Sequence, residues 1–276
     1  MILVRMLSVC SIVGVAGLAS AGPRDFLVEH SGVGGSAEQA APYLDQFLRY
    51  IESKMSWPKG SASAQFFPEP EAAVSYAKDK HPAYGLLDPE LFLELQKKED
   101  LEVLVTVEGK NESLGHYSVV VKDPAYKTLE DLKGKSLISN HLQYPKFLSR
   151  VAFAGKVDAA TFFKLEPTPS PLKGLKAVDR GEAAATLLDD NQLANMKSLP
   201  FGAELRVIYT SPALPPTPFV VFGKNALAKD RAAIVKMLTG MCADPKGAEV
   251  CTSLQVSKFS NPNKAQYDEA VKRFEK

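Results

Sequence analysis

Apolar and polar positions along this chain fall into blocks whose period switches repeatedly between two and 3.6, the pattern of strands interleaved with helices. Residues 26–30 read as a strand, followed by a glycine-rich turn, SGVGGS, at 31–36. Over 37–51, Ala41, Leu44, Phe47, Leu48 and Ile51 fall on one helical face. Strands are predicted at 61–67, 84–87 and 101–107, with helices over 69–78 and 89–98 between them. Asp88 ends a strand and Pro89 suits the first helical position after it. This β-α-β-α-β-α order predicts a mostly parallel sheet covered on both faces.

A second series begins at 117–138, YSVVVKDPAYKTLEDLKGKSLI, with apolar runs at 118–121 and 136–139 around a short helix start. Thr128 is placed to cap that helix, Glu130 and Asp131 suit its positive end, and Gly134 suits its C′ position. Further strands are predicted at 160–164, 184–188 and 205–209, with helices at 144–154 and 172–181. The Pro-rich stretch SPALPPTP leads into a strand at 219–222, and helices at 230–239, 244–254 and 263–274 are expected to return to the first half. Crossings near 117 and 215 are what a hinged two-lobe α/β protein needs. The expected division is a leader at 1–21, a first lobe from 22–115 and 216–276, and a second lobe from 116–215.

The leader reading rests on Arg5 as the single charge before residue 22, an apolar run at 7–18 too short to span a bilayer, and a small-residue cleavage site at Ala19-Ser20-Ala21. An uncleaved anchor, or lipidation at Cys10, is the alternative. Export to the periplasm follows from the first reading. Taking Arg5 from the 33 Lys and Arg leaves 32, equal to the 32 Asp and Glu. A neutral chain lacks the basic footprint of a nucleic-acid binder, and no basic amphipathic stretch suggests a membrane surface. Loss of Cys10 leaves Cys242 and Cys251, nine apart. In an oxidising compartment they can close a small disulfide loop; two separately buried thiols are the alternative. No GxSxG elbow, GxxxxGK[ST] loop or HExxH helix occurs, so no enzyme is expected and no cofactor is implied.

Several stretches resemble one family. The Tyr84-Gly85-Leu86-Leu87 strand, the LEDLKGK turn ending at Lys135, LKAVDRGEAAATLLDD ending at Asp190, LRVIYTSPALPPTPFVVF at 205–222, and DPKGAEV followed by Tyr267 are similar to type II periplasmic solute-binding proteins of the phosphate/phosphite/phosphonate group. The resemblance implies two α/β lobes around a hinged cleft, a small and anionic solute, an inner-membrane ABC permease as partner, and a monomer. A sensor that does not transport would use the same cleft. The chain departs from the group at 139–144, where SNHLQY stands in place of a Ser-x-Ser/Thr-Gly turn, and at Ala184, where the group often carries Asp.

Ligands of open α/β sheets sit beyond the carboxyl ends of the strands. The first such loop offers Ser31, Gly35 and Ser36 at a helix N-terminus, an anion seat or a plain glycine turn. Asp88 ends another strand, Tyr117 lies at the crossing, and Ser139, Asn140, His141 and Tyr144 follow the first strand of the second lobe. Asp189 ends a later one. His30, His116 and His141 fall on the same side, so a metal is the alternative ligand. If His141 donates to an anion, affinity should rise as pH falls below about 6.5.

Overall fold

The computed structural model describes residues 24–30, 36–109, 115–223 and 225–276. The expected leader at 1–21 lies outside them. No helix among the described residues is long and apolar enough to cross a membrane.

In chain order the elements are β1 (Asp25–Glu29), α1 (Ala37–Met55), β2 (Ser63–Phe67), α2 (Pro70–Lys80), β3 (Tyr84–Leu86), α3 (Pro89–Leu95) and β4 (Leu101–Gly109). Next come β5 (Tyr117–Val121), β6 (Ser136–Ser139), α4 (Pro145–Phe147), α5 (Ala159–Phe162), β7 (Lys164–Pro167), α6 (Pro171–Asp179), β8 (Ala185–Asp189), α7 (Asp190–Met196) and β9 (Arg206–Thr210). The chain ends with β10 (Thr217–Phe222), α8 (Ala228–Met241), α9 (Pro245–Ser253), β11 (Val256–Ser260) and α10 (Lys264–Glu275). Two sheets result, ordered β11-β4-β10-β3-β1-β2 and β7-β6-β8-β5-β9. All strands between 117 and 210 lie in the second sheet, and those before and after lie in the first.

Both sheets are mixed, which corrects the mostly parallel expectation. β1 pairs in parallel with β2 and β3, but β10 runs antiparallel between β3 and β4. In the second sheet β6 is parallel to β7 and β8, whereas β5 is antiparallel to β8 and β9. Of the strands that run against the rest of their sheet, β5 and β10 are entered from the two crossings, while β11 pairs antiparallel with β4 at the edge. A chain arriving from the other sheet needs no helical crossover and can enter in either sense.

The apolar runs read as buried strands because both faces are covered. Phe219 and Val221 face α1 and α8 with Phe47, Ile51, Ile234 and Leu238, while Val220 and Phe222 face the opposite core. In α1, Phe47, Leu48 and Ile51 are buried as the spacing predicts, but Ala41 is exposed.

Five local points need correction. The helix predicted at 144–154 is one α turn running into a π-helical turn, Leu148–Ala152. The strand predicted at 160–164 is α5 followed by β7, because the Asp158 carboxylate accepts from the Ala160 N–H and starts a helix. At the LEDLKGK turn, Asp131 rather than Thr128 gathers the amides, accepting from the N–H groups of Lys127 and Thr128. Gly134 does take a positive φ of 72° there. Strand β11 went unpredicted, and α10 does not simply return to the first lobe. It packs on α3 through Tyr267 and Phe92, and on the π turn after α4, with Lys146 over the Phe274 ring at 3.8 Å.

Cys242 and Cys251 are disulfide-bonded, tying the end of α8 to α9. Replacing both with serine should cost about 2–3 kcal/mol, seen as a fall in Tm of roughly 4–12 °C; an unchanged Tm would remove the bond from the stability of this corner. Gly247 faces a tighter constraint. A Cβ there would stand 2.1 Å from the Met241 carbonyl oxygen and 2.9 Å from the Tyr50 hydroxyl. Gly247→Ala should therefore destabilise by about 1–3 kcal/mol or more, measurable by urea unfolding, although alanine is the better helix former.

Candidate functional site

The carboxyl ends of parallel strands from both sheets open on one cleft, as the topology requires. Glu29 ends β1, with His30 next. Asp88 follows β3 at the N-cap position of α3, whose first turn carries Glu90. From the other side come His116 and Tyr117 at the start of β5, the turn Asn140 to Tyr144 after β6, and Asp189 and Asp190 where β8 becomes α7. Leu214 to Thr217, on the second crossing, closes one wall of a cavity of about 240 Å³. A larger open concavity of about 900 Å³ lies where β5 ends and β6, β7 and β8 begin, but its Lys122 is already paired with Asp179 at 2.8 Å and Glu204 at 2.9 Å.

Each cleft histidine has a carboxylate partner. His30 Nδ1 is 2.7 Å from Asp88 Oδ1, and His116 Nδ1 is 3.3 Å from Asp190 Oδ2, which also accepts the His116 N–H. The His141 ring lies against Tyr117, with centroids 4.6 Å apart and Nδ1 3.2 Å from the tyrosine oxygen. Its Nε2 stands 3.3 Å from Asp189 Oδ2, an ion-pair distance off the line of a hydrogen bond. Burial works to raise the Asp189 carboxyl, but His141 and the Gln192 N–H outweigh it and hold it below the usual value. Among the described residues, no group of three or more His, Cys, Asp or Glu is arranged to hold a metal ion. The histidines converge as expected, but onto separate carboxylates.

Behind the cavity wall lies a second acidic group. Glu29 is 1% exposed; its Oε2 accepts the Asp88 N–H at 3.1 Å and its Oε1 accepts the Tyr144 hydroxyl at 3.0 Å. Tyr117 donates to Glu90 Oε1 at 2.7 Å. Burial, then the charge of Asp88, pushes the Glu29 carboxyl up to about 8, and the same two causes raise Glu90. Burial and Glu90 push Tyr117 well above its ordinary value, so its hydroxyl stays protonated and donating.

Of the predicted site residues, Asp88, Tyr117, Asn140, His141, Tyr144 and Asp189 line the cavity together with His30 and His116. Ser139 does not. It is 1% exposed, its hydroxyl donates to the Leu187 carbonyl and accepts the His141 N–H, so it holds the turn that aims its neighbours. Ser36 serves as N-cap of α1 in a capping box with Gln39. Ser31 and Gly35 lie outside the described residues. Sequence reasoning missed Glu29, Glu90 and Gln192. The one available signal was an acid ending the apolar run FLVE, where a buried charge demands a partner.

The lining has a clear electrostatic sign. It contains Asp88, Glu90, Asp189 and Asp190, and among the described residues no lysine or arginine. Its groups can hold a polar solute of a few heavy atoms between two sheets, accepting more hydrogen bonds than they donate.

No curated protein matches the chain in sequence. Among solved structures, it is similar to a Xanthomonas citri protein bound to ATP, at 13% identity and a TM-score of 0.72, covering 91% of this chain and 97% of that one. It is also similar to a binding protein component of an ABC phosphonate transporter from Pseudomonas aeruginosa, at 16% identity and TM-score 0.62, over 92% and 88% of the two chains. PhnD1 from Prochlorococcus marinus, in complex with methylphosphonate, shares 13% identity and a TM-score of 0.60 over 92% and 99%. These likenesses show a two-lobed periplasmic binding protein fold. The family model for the periplasmic substrate-binding protein of phosphonate ABC transporters matches residues 46–267, and this chain belongs to that family.

Proposed function

We propose that the protein is the periplasmic, non-catalytic substrate-binding component of an ABC importer. It works as a monomer whose lobes, 22–115 with 216–276 and 116–215, close on one small solute and present it to an inner-membrane permease. The observation that carries this is the meeting of strand carboxyl ends from both sheets on one cavity of about 240 Å³. Contacts that exist only when the lobes meet favour the closed state when solute is bound.

Family membership points to a phosphonate-class oxyanion, and the lining refines that reading. A bare dianion would meet four carboxylates with no lysine or arginine among the described lining residues. A phosphonate that also bears a protonated nitrogen brings its own counter-charge to Asp88 and Asp189. The three imidazoles can offer N–H groups to the oxyanion end.

In a thermal-shift series, an aminoalkylphosphonate should raise Tm with concentration, by about 2.7 kcal/mol of stability at 100 times Kd. Methylphosphonate should do less, and Zn²⁺ or Cu²⁺ nothing; a response to the metals alone would overturn the reading. Asp189→Asn tests the charge directly, since asparagine caps α7 equally well. It should weaken the amine-bearing ligand roughly 10- to 100-fold and leave methylphosphonate little changed. Equal loss for both by calorimetry would place Asp189 in the scaffold.

A further inference from the structure

We infer that closure of the two lobes takes up a proton, with Glu29 as the group that receives it. The inference rests on the closing cleft proposed above. Its geometric basis is a cluster of three carboxylates at the lobe boundary, Glu29, Asp88 and Glu90, all supplied by the first lobe. The second lobe meets them with two hydroxyls, the His141–Asp189 pair standing behind one of them: Tyr144 donates to Glu29 at 3.0 Å and Tyr117 to Glu90 at 2.7 Å. Each hydroxyl has one proton to give, and Glu29 is 1% exposed.

The groups facing this carboxyl come from every neighbouring element. From the start of α3, Asp88 gives its N–H while its own carboxylate and that of Glu90 repel. His30, next along the chain, reaches Asp88 at 2.7 Å. Across the boundary stand Tyr144, and behind Tyr117 the pair His141 and Asp189. In the sheet, Glu29 is paired with Phe67 of β2, and β3 contributes Leu86 beside Val28. On α2, Glu71, Lys78, Asp79 and Lys80 are exposed, and Tyr76 packs against Phe67. No lysine or arginine contact to Glu29 offsets the two neighbouring acids among these groups.

The sign follows. Closed, burial and then Asp88 push the carboxyl up to about 8; opening removes burial but leaves Asp88 and Glu90 beside it, and so moves it down in the direction of the ordinary value of 4.5. Between those limits the closed state binds more protons than the open one, so closure weakens as pH rises, by up to about tenfold per pH unit. A neutral Glu29 is an acid that can also donate, whereas an ionised one sets two charges side by side in a dry boundary.

The test uses no solute, so its failure is separate from a wrong ligand assignment. Small-angle X-ray scattering of the ligand-free protein, from pH 5.5 to pH 9, reads the lobe separation. The wild type should be compact at pH 5.5 and expand toward pH 9, while Glu29→Gln, permanently neutral and still able to accept from Tyr144, should stay compact throughout. Histidine titration would expand both proteins alike, which would overturn the inference, as would a wild-type radius unchanged across the range. If Glu29→Gln fails to fold, Tyr144→Phe replaces it: losing the bond at the boundary should leave the protein more open at pH 5.5, and a wild-type profile would overturn the proposal.

Discussion

Glu29, Asp88 and Glu90 sit together where the two sheets meet, and the arrangement of the cleft turns on how their charge is accommodated. A buried carboxylate without a partner costs several kcal/mol, so each must be hydrogen-bonded, paired or neutral. The first sheet supplies one amide, from Asp88, and the second supplies the tyrosine hydroxyls. The lobes are thus held together at their boundary by polar groups that neither sheet satisfies alone. Apolar packing surrounds them: one continuous core joins Leu27, Leu87 and Leu91 on one side to Val119, Phe147 and Leu187 on the other.

The same accounting explains the histidines. An imidazole next to a carboxylate is held in one orientation, and His30, His116 and His141 each have such a neighbour, Asp88, Asp190 and Asp189. The three histidines are thus spread over three separate carboxylates around the cavity. The scaffold of this family here presents carboxylates on both sides of the cavity, the observation behind the proposed solute with positive charge at one end.

The turn after β6 divides its residues between scaffold and cleft. Ser139 remains at the strand end, but its hydroxyl is spent on the Leu187 carbonyl and the His141 amide. The following positions, Asn140 and His141, then line the cleft. Asp189 follows the same logic, capping α7 through the Gln192 N–H while facing His141.

Much was legible in the sequence because it is written locally. Apolar runs of four to six residues, capped helices and Gly134 at a turn are decided within a few residues, and they placed nearly every element. The ends of strands then pointed to Asp88, Tyr117, Asn140, His141, Tyr144 and Asp189. What the chain could not declare by itself depended on partners distant in sequence. β11 is a short edge strand whose pairing with β4 is made more than a hundred residues away, and α5 replaced a strand because one carboxylate capped it. Ser139 and Ser36 looked like ligands until their hydroxyls were seen to be used by the backbone. Glu29 looked like an ordinary strand end until Tyr144, from 115 positions along the chain, was found against it. Local propensity follows from neighbours in the chain; charge, protonation and the shape of a cleft follow from neighbours in space, and only the folded structure brings those together.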